Sequence, residues 1–288
     1  MNKDTRPPAD DPQSTTSPKA ILDRAAGWLW LSIAAALLAA TGSVIGLAID
    51  RIYAGLTPAF LPQAIAQDIA NLTIAAPALV ILAALALRGS LRAYLLWLGV
   101  LTFTVYNYVI YTFSIPFGPL FLLWVAVLGM CIYALIGGVT AVDHRAVAGH
   151  YASRRAVTVV AWFLIAIAVL FGLLWLSEDV PALLAGVRPR SVTDMALPAN
   201  PVHILDLAFF LPAVIATGVL LLKRRPLAYT VAPAFIVFLI LTGVPILITP
   251  VVQSVSGETA NWGVVGPIGI LTLALLGLLV WLLSTIQI

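Results

Sequence analysis

Two short stretches place groups capable of chemistry in an otherwise apolar chain. In ANPVHILDLAFFLPA (199–213), His203 stands three residues before Asp206. In QDIANLTIAAPA (67–78), Asp68 stands three residues before Asn71. Positions i and i+3 share a helix face, so each stretch presents a two-member polar face. A histidine beside a carboxylate can exchange protons or bind a small polar solute. Pro77 and Pro212 each follow six residues after the second polar residue. Each removes a hydrogen bond to the carbonyl four residues back, that of Thr73 or Ala208. In lipid such a carbonyl must find another partner. A third stretch, TVYNYVIYTF (104–113), sets Asn107 one turn from Tyr111, with Tyr108 and Thr104 on the tyrosine's face. A fourth, ANWGVVGPIG (260–269), offers Asn261 and three glycines, Gly263, Gly266 and Gly269, for close helix approach.

The candidate solute-binding set is therefore Asp206, His203, Asn71, Asp68, Asn107 and Tyr111. No catalytic residue and no metal ligand is assigned. Each member also has a plainer reading. Tyr106, Tyr108 and Tyr111 suit an interfacial aromatic belt. Asp68 and Asp206 suit N-terminal helix caps. His203 suits the headgroup zone, paired with Asp206.

These groups need a scaffold, and composition says which kind. Charged residues make up 9% of the 288-residue chain, against about 25% in soluble domains. Mean hydropathy is +1.07. So little charge cannot cover a water-soluble fold, and the bilayer must be the main solvent. Eight runs reach the roughly 20 apolar residues that a membrane-spanning helix needs: about 27–49, 69–87, 93–113, 119–142, 156–176, 204–222, 227–249 and 262–285. The expected fold is all-α, a polytopic membrane protein of eight helices. Residues 1–26, rich in Pro, Ser, Thr and Asp, read as a disordered tail and not as a signal peptide. The single cysteine, Cys131, lies in an apolar run and reads as a small buried side chain.

Basic residues set the direction. Twelve of the fifteen fall on the tail and the even-numbered loops; only Arg51, Arg188 and Arg190 fall on the other side. The positive-inside rule then puts both termini in the cytoplasm, in a bacterial inner membrane. The carboxylates outside the tail lean to the opposite face. Topology accounts for the sequence pI near 9.2, and no nucleic-acid partner is implied.

A shift of 135 residues lays the second span on the sixth. Asp68 meets His203, Asn71 meets Asp206, Pro77 meets Pro212, Arg88 meets Lys223 and Tyr94 meets Tyr229. The first span parallels the fifth at nearly the same shift. This pattern predicts a parallel repeat of two four-helix halves, 27–142 and 156–288, joined by a cytoplasmic linker at 143–155. Sites in parallel-repeat transporters lie at the repeat interface.

The common enzyme signatures are absent: no HExxH, no GxSxG, no Walker A sequence and no GxGxxG. The three histidines are His144, His150 and His203. None lies deep in a span, so bis-histidine haem is not expected, and no cofactor is assigned. Asp143, His144 and His150 make a short ligand set for a loop metal. No acidic or basic chain crosses the bilayer, which argues against a proton pump. The segments YNYVIYTF, FGPLFLLWVAVLGMCIYALI and NPVHILDLAFFLPA resemble parts of bacterial multi-pass membrane proteins, and that resemblance implies no particular activity.

The expected partners are the lipid bilayer and a small solute. The leading function is binding or transport of that solute in an outward-facing polar pocket. The alternatives are a non-catalytic scaffold or subunit that docks a partner protein, and an enzyme using His203 and Asp206. A transporter calls for a continuous polar route or two gated cavities; a scaffold calls for a groove in the lipid plane and no enclosed volume. The charge asymmetry makes a direct prediction. Reporter fusions at residue 149 and at the C-terminus should read cytoplasmic, and fusions at 190 and 257 external. An external signal at 149 would overturn the assigned direction.

Overall fold

Eight long helices account for most of the chain. The structure is a computed structural model and describes residues 22–287; most of the expected tail, 1–26, lies outside the described residues. The helices are α1 (Asp23–Ala48), α2 (Leu61–Leu87), α3 (Leu91–Ser114), α4 (Phe121–Ala141), α5 (Arg154–Leu184), α6 (Pro201–Leu222), α7 (Pro226–Val255) and α8 (Trp262–Ser284). The shortest has 21 residues, or about 31 Å at 1.5 Å per residue, enough to cross a hydrocarbon core of about 30 Å. Among the described residues there is no strand, only an isolated bridge between Tyr151 and Ile286. The protein is an all-α, multi-pass membrane protein.

Three helices are longer than hydropathy alone suggests. α2 begins at Leu61 rather than 69, α5 runs on to Leu184 rather than 176, and α7 to Val255 rather than 249. The added turns of α2 and α5 hold Gln63, Gln67, Ser177, Glu178 and Asp179. Such residues lower a hydropathy average and read as loop. Several of them face polar partners inside the bundle, so the helix continues through them.

The two sets of four helices pack alike. α1 touches α2 and α4, and α3 touches α2 and α4; α5 touches α6 and α8, and α7 touches α6 and α8. The sets meet chiefly where α3 crosses α7. At that crossing a Cβ on Gly99 would meet the Ala234 carbonyl oxygen at 2.7 Å and the Val237 side chain. Only glycine lets the two backbones approach so closely. α3 is the most enclosed helix, 78% buried along its apolar core, whereas α8 is 11% buried. α3 is thus the packing axis and α8 the helix most open to lipid.

Most polar groups deep in the bundle find partners nearby, as an apolar medium favours. The Trp97 indole donates to Ser32 Oγ at 2.8 Å, and Ser32 donates to the Leu29 carbonyl at 2.7 Å. Tyr94 donates to the Gly138 carbonyl at 2.5 Å. Gly137 and Gly138 let α4 close on Trp28 and Trp97. The seam between α5 and α8 has no such device. Gly266 and Gly269, expected to bring α8 close to a neighbour, have no atom within 4 Å of where a Cβ would sit, and Gly263 meets only Asn261 of its own loop. The glycines of α8 therefore face open space instead of a helix.

The ends of the bundle differ. Loops on the side of Arg88, Arg145 and Arg224 form a basic end; the segments around 49–60, 115–120, 185–200 and 256–261 form the opposite end, where Glu178 and Asp179 of α5, with Asp50, Asp194 and Glu258, outnumber Arg51, Arg188 and Arg190 and make it the acidic one. At the basic end the last residues are tied down. Arg92 donates to the Ile286 carbonyl at 2.7 Å, and the Gln287 amide donates to the His150 carbonyl at 2.9 Å. His150 Nδ1 lies 2.7 Å from the Gln287 carbonyl oxygen, and His144 Nδ1 lies 2.9 Å from Thr230 Oγ1. Each histidine thus spends a ring nitrogen on a different partner rather than on a shared ion. Burial holds the His144 imidazole below its usual pKa.

The α3–α7 crossing yields a stability prediction. Gly99→Val should overpack the crossing and cost about 1–3 kcal/mol. Gly129→Ala, where an added Cβ meets nothing within 4 Å, should be neutral. Thermal unfolding of the two variants in detergent checks this, and equal midpoints would contradict the close approach.

Candidate functional site

Both polar pairs of the sequence sit where their helices leave regular α geometry. Residues Asn71–Ala75 of α2 and Asp206–Phe210 of α6 each form one π turn. Ala76 N–H bonds to the Asn71 carbonyl and Leu211 N–H to the Asp206 carbonyl, both five residues back. Pro77 and Pro212 follow at once, at the start of the next α segment. A proline removes a donor and loosens the preceding turn, and single π turns recur at functional sites.

Neither aspartate caps its helix. Asp68 is well inside α2, which starts at Leu61. The cap of α6 is Asn200, whose Oδ1 accepts from Val202 N–H at 2.9 Å and His203 N–H at 3.4 Å. The aromatic-belt reading also fails. Tyr106, Tyr108 and Tyr111 are 4%, 1% and 3% exposed, inside the bundle and away from its lipid-facing rim.

Asp68 lies at the centre of a closed cluster. Tyr53 donates to Oδ2 at 2.5 Å and Tyr111 to Oδ1 at 2.8 Å. Gly46 backs the carboxylate so tightly that a Cβ there would collide with it. Next to it, Asn107 Nδ2 donates to Asn71 Oδ1 at 3.0 Å, and Gln67 Nε2 donates to the same oxygen at 3.3 Å. Asn71 Nδ2 is buried and makes no hydrogen bond.

Asp206 is arranged differently. The Trp175 indole N–H donates to its Oδ2 at 2.9 Å. The Tyr106 hydroxyl is buried beside the carboxylate, close enough to interact with it although the two do not meet in hydrogen-bond geometry. His203 does not bond Asp206, although the sequence suggested that pairing. Its Nδ1 instead donates to both oxygens of Asp179, at 2.9 and 3.0 Å, and its Nε2 lies 3.8 Å from Glu178 Oε2. The imidazole stacks on Trp175 with ring centres 4.6 Å apart. Trp175 thus stands between His203 and Asp206 and touches both. Glu178 Oε1 accepts from the Ser191 amide at 3.0 Å, which anchors the segment between α5 and α6.

Asp206 opens into a cavity of about 420 Å³ formed by α2, α3, α5, α6, α7 and α8. Of the candidate set, Asp206, His203, Asn107 and Tyr111 line it; Asp68 and Asn71 lie behind the wall. Gln63, Gln67, Trp175, Glu178 and Tyr106 add to its polar lining, with serine, threonine and asparagine side chains among the rest, and among the described residues no lysine or arginine contributes. On α7 it extends from Thr249 to Phe238, a depth of about 16 Å by helix rise. Its floor is apolar.

The sequence reading missed Trp175, Glu178, Asp179, Tyr53 and Tyr106. A signal existed for three of them. Trp175, Glu178 and Asp179 are spaced i, i+3, i+4, one face of a helix if the helix continues. Tyr53 lies in the loop before α2, and nothing local marks it.

Among the described residues no cluster of three or more His, Cys, Asp or Glu is placed to hold a metal. The fold and this site define a class: a multi-pass helical membrane protein with a half-open cavity at its acidic end. No protein-family model matches the chain, and neither a characterised protein nor a solved structure does so.

The Asp68 cluster predicts a structural cost. A hydrogen bond to a buried charged group contributes about 1.5–3 kcal/mol. Tyr111→Phe should lower unfolding stability in detergent by about that amount, and Tyr53→Phe similarly. Wild-type stability in both variants would mean the phenols do not hold the carboxylate.

Proposed function

We propose that the protein binds a small solute in this cavity from the outer side of a bacterial inner membrane, and transports it. The cavity is the observation that carries the reading. It is enclosed by six helices, reaches about mid-membrane, and exposes hydrogen-bonding groups to its interior. A docking scaffold has no use for such a volume.

Transport draws its support from a second cavity. It holds about 230 Å³ in the basic half and is lined by Leu98, Thr102, Val139, Phe210 and Phe235 among others. Phe238 belongs to the wall of the first cavity and Phe210 to that of the second. The two rings stack at 4.8 Å, and Tyr106 meets both edge-on, at 4.9 and 5.3 Å. The second volume is an apolar groove whose Phe209 is 63% exposed on the outside of the bundle, and the stacked rings separate it from the first; a gated route would have its barrier at that stack.

The reading includes a parallel repeat. The two π turns, and the α segments after them (Ala76–Leu87 and Leu211–Leu222), stand 135 residues apart at both ends. The starts of α3 and α7 share that offset, and at their crossing Gly99 meets Ala234, again 135 residues on. A two-fold axis along the membrane normal through that contact would generate this pattern, and the cavity lies against it.

Thiol labelling tests the site. The native Cys131 is buried and should stay silent to a small hydrophilic thiol reagent. Thr242→Cys, deep in the cavity wall, should react when the reagent is added from outside intact cells, and Thr242→Cys combined with Thr249→Trp near the mouth should react at least tenfold more slowly. A Thr242→Cys protein that folds and does not react would show the cavity to be closed to solutes and sink the proposal.

A further inference from the structure

The cavity has a definite electrostatic character. Its carboxylates are Asp206 and Glu178, and lysine and arginine are absent from its lining. The one histidine in the wall, His203, is engaged by Asp179. Asp206 is 9% exposed, and among the described residues it forms no salt bridge. Its Oδ2 is taken by Trp175, while Oδ1 accepts no hydrogen bond among the described residues. Beside it the Tyr106 hydroxyl is buried, near the carboxylate but outside hydrogen-bond geometry with it. A charge left this way in an apolar setting is costly unless a ligand compensates it.

The rest of the wall suits the body of such a ligand. Trp175, Tyr106, Tyr111, Phe171 and Phe238 line the cavity, with leucine and isoleucine below them. Aromatic rings attract cations through their quadrupole, and more strongly in a desolvated site. An anion would meet two carboxylates and no positive side chain. A phosphate-bearing lipid headgroup is disfavoured for the same reason.

Resting on the solute-binding reading above, we propose that the ligand is a monovalent organic cation with an apolar body. Its charged group sits between Asp206 Oδ1 and the ring of Tyr106, and its body fills the apolar floor. Glu178, whose side chain is 35% exposed, attracts the cation at the rim. Asp206 supplies the countercharge, and Trp175 fixes the carboxylate by its indole hydrogen bond.

A matched pair of probes tests the charge. Phenyltrimethylammonium and tert-butylbenzene have the same shape and differ in one positive charge. Titration calorimetry on the full chain in detergent, with empty micelles subtracted, should show the cation binding at least tenfold more tightly. Asp206→Asn, nearly isosteric, should bring the two within threefold of each other. If the neutral probe binds as tightly to the wild-type protein, the cation assignment falls, whatever the variant does. If neither probe binds, the assignment also falls. The labelling of Thr242→Cys then says whether the cavity reading falls with it: a reactive cysteine keeps the open cavity and removes only the cation, and a silent one removes both. The wild-type ratio decides even if Asp206→Asn fails to fold.

Discussion

A carboxylate inside an apolar bundle has to be satisfied by donors carried there for the purpose, and this one requirement organises the molecule. Asp68 and Asp206 meet it in opposite ways. Asp68 receives two phenol hydrogen bonds and is backed by Gly46, so both oxygens are engaged and the site is shut. Asp206 receives one indole hydrogen bond and keeps an oxygen free toward a cavity. The closed cluster fixes α2 against α3 and the loop before α2. The open one leaves room for something else to supply the missing partner.

The packing follows the same division. α4 closes on α1 and α3 because Gly137 and Gly138 accept the Trp28 and Trp97 rings. α8, with its glycines facing open space, cannot close on α5 in that way. The volume left between them becomes the cavity. With similar helix order on both sides of the α3–α7 crossing, one seam tight and the other loose, the cavity lies where the loose set meets α2 and α3. The proposed repeat would account for the related motifs around Asp68 and Asp206, one in a closed cluster and the other at the cavity.

Much of this was legible before any coordinates. Hydropathy located eight spans because burial in lipid leaves a signal about 20 residues long that short-range noise does not erase. The i, i+3 polar pairs and their prolines pointed to a disturbed hydrogen-bond ladder at Thr73 and Ala208, and the structure shows the form it takes, a π turn in each helix. The ends of α2 and α5 were not legible. Gln67, Glu178 and Asp179 lower a hydropathy average whether they face water or a polar partner, and only tertiary contacts distinguish the two. His203 was given the wrong partner for the same reason. Asp206 lies close to it in sequence, but Asp179 reaches it from another helix, and the Trp175 ring occupies the space between His203 and Asp206.

The π turn of α6 joins the two features on which the functional proposal depends. Asp206 opens it and Phe210 ends it, so the carboxylate facing one cavity and the ring walling the other belong to five consecutive residues. A π turn holds one residue more per hydrogen-bonded ring than an α turn, and Pro212 denies the following turn a donor that would fix its register. A shift of this segment toward regular α geometry would rotate Asp206 and Phe210 together. Compensating the carboxylate would then alter the packing of Phe210 on Phe238, and the state of that stack would depend on what occupies the cavity. Coupling of that kind needs no long-range pathway, because the binding group and the barrier are carried on one turn of one helix.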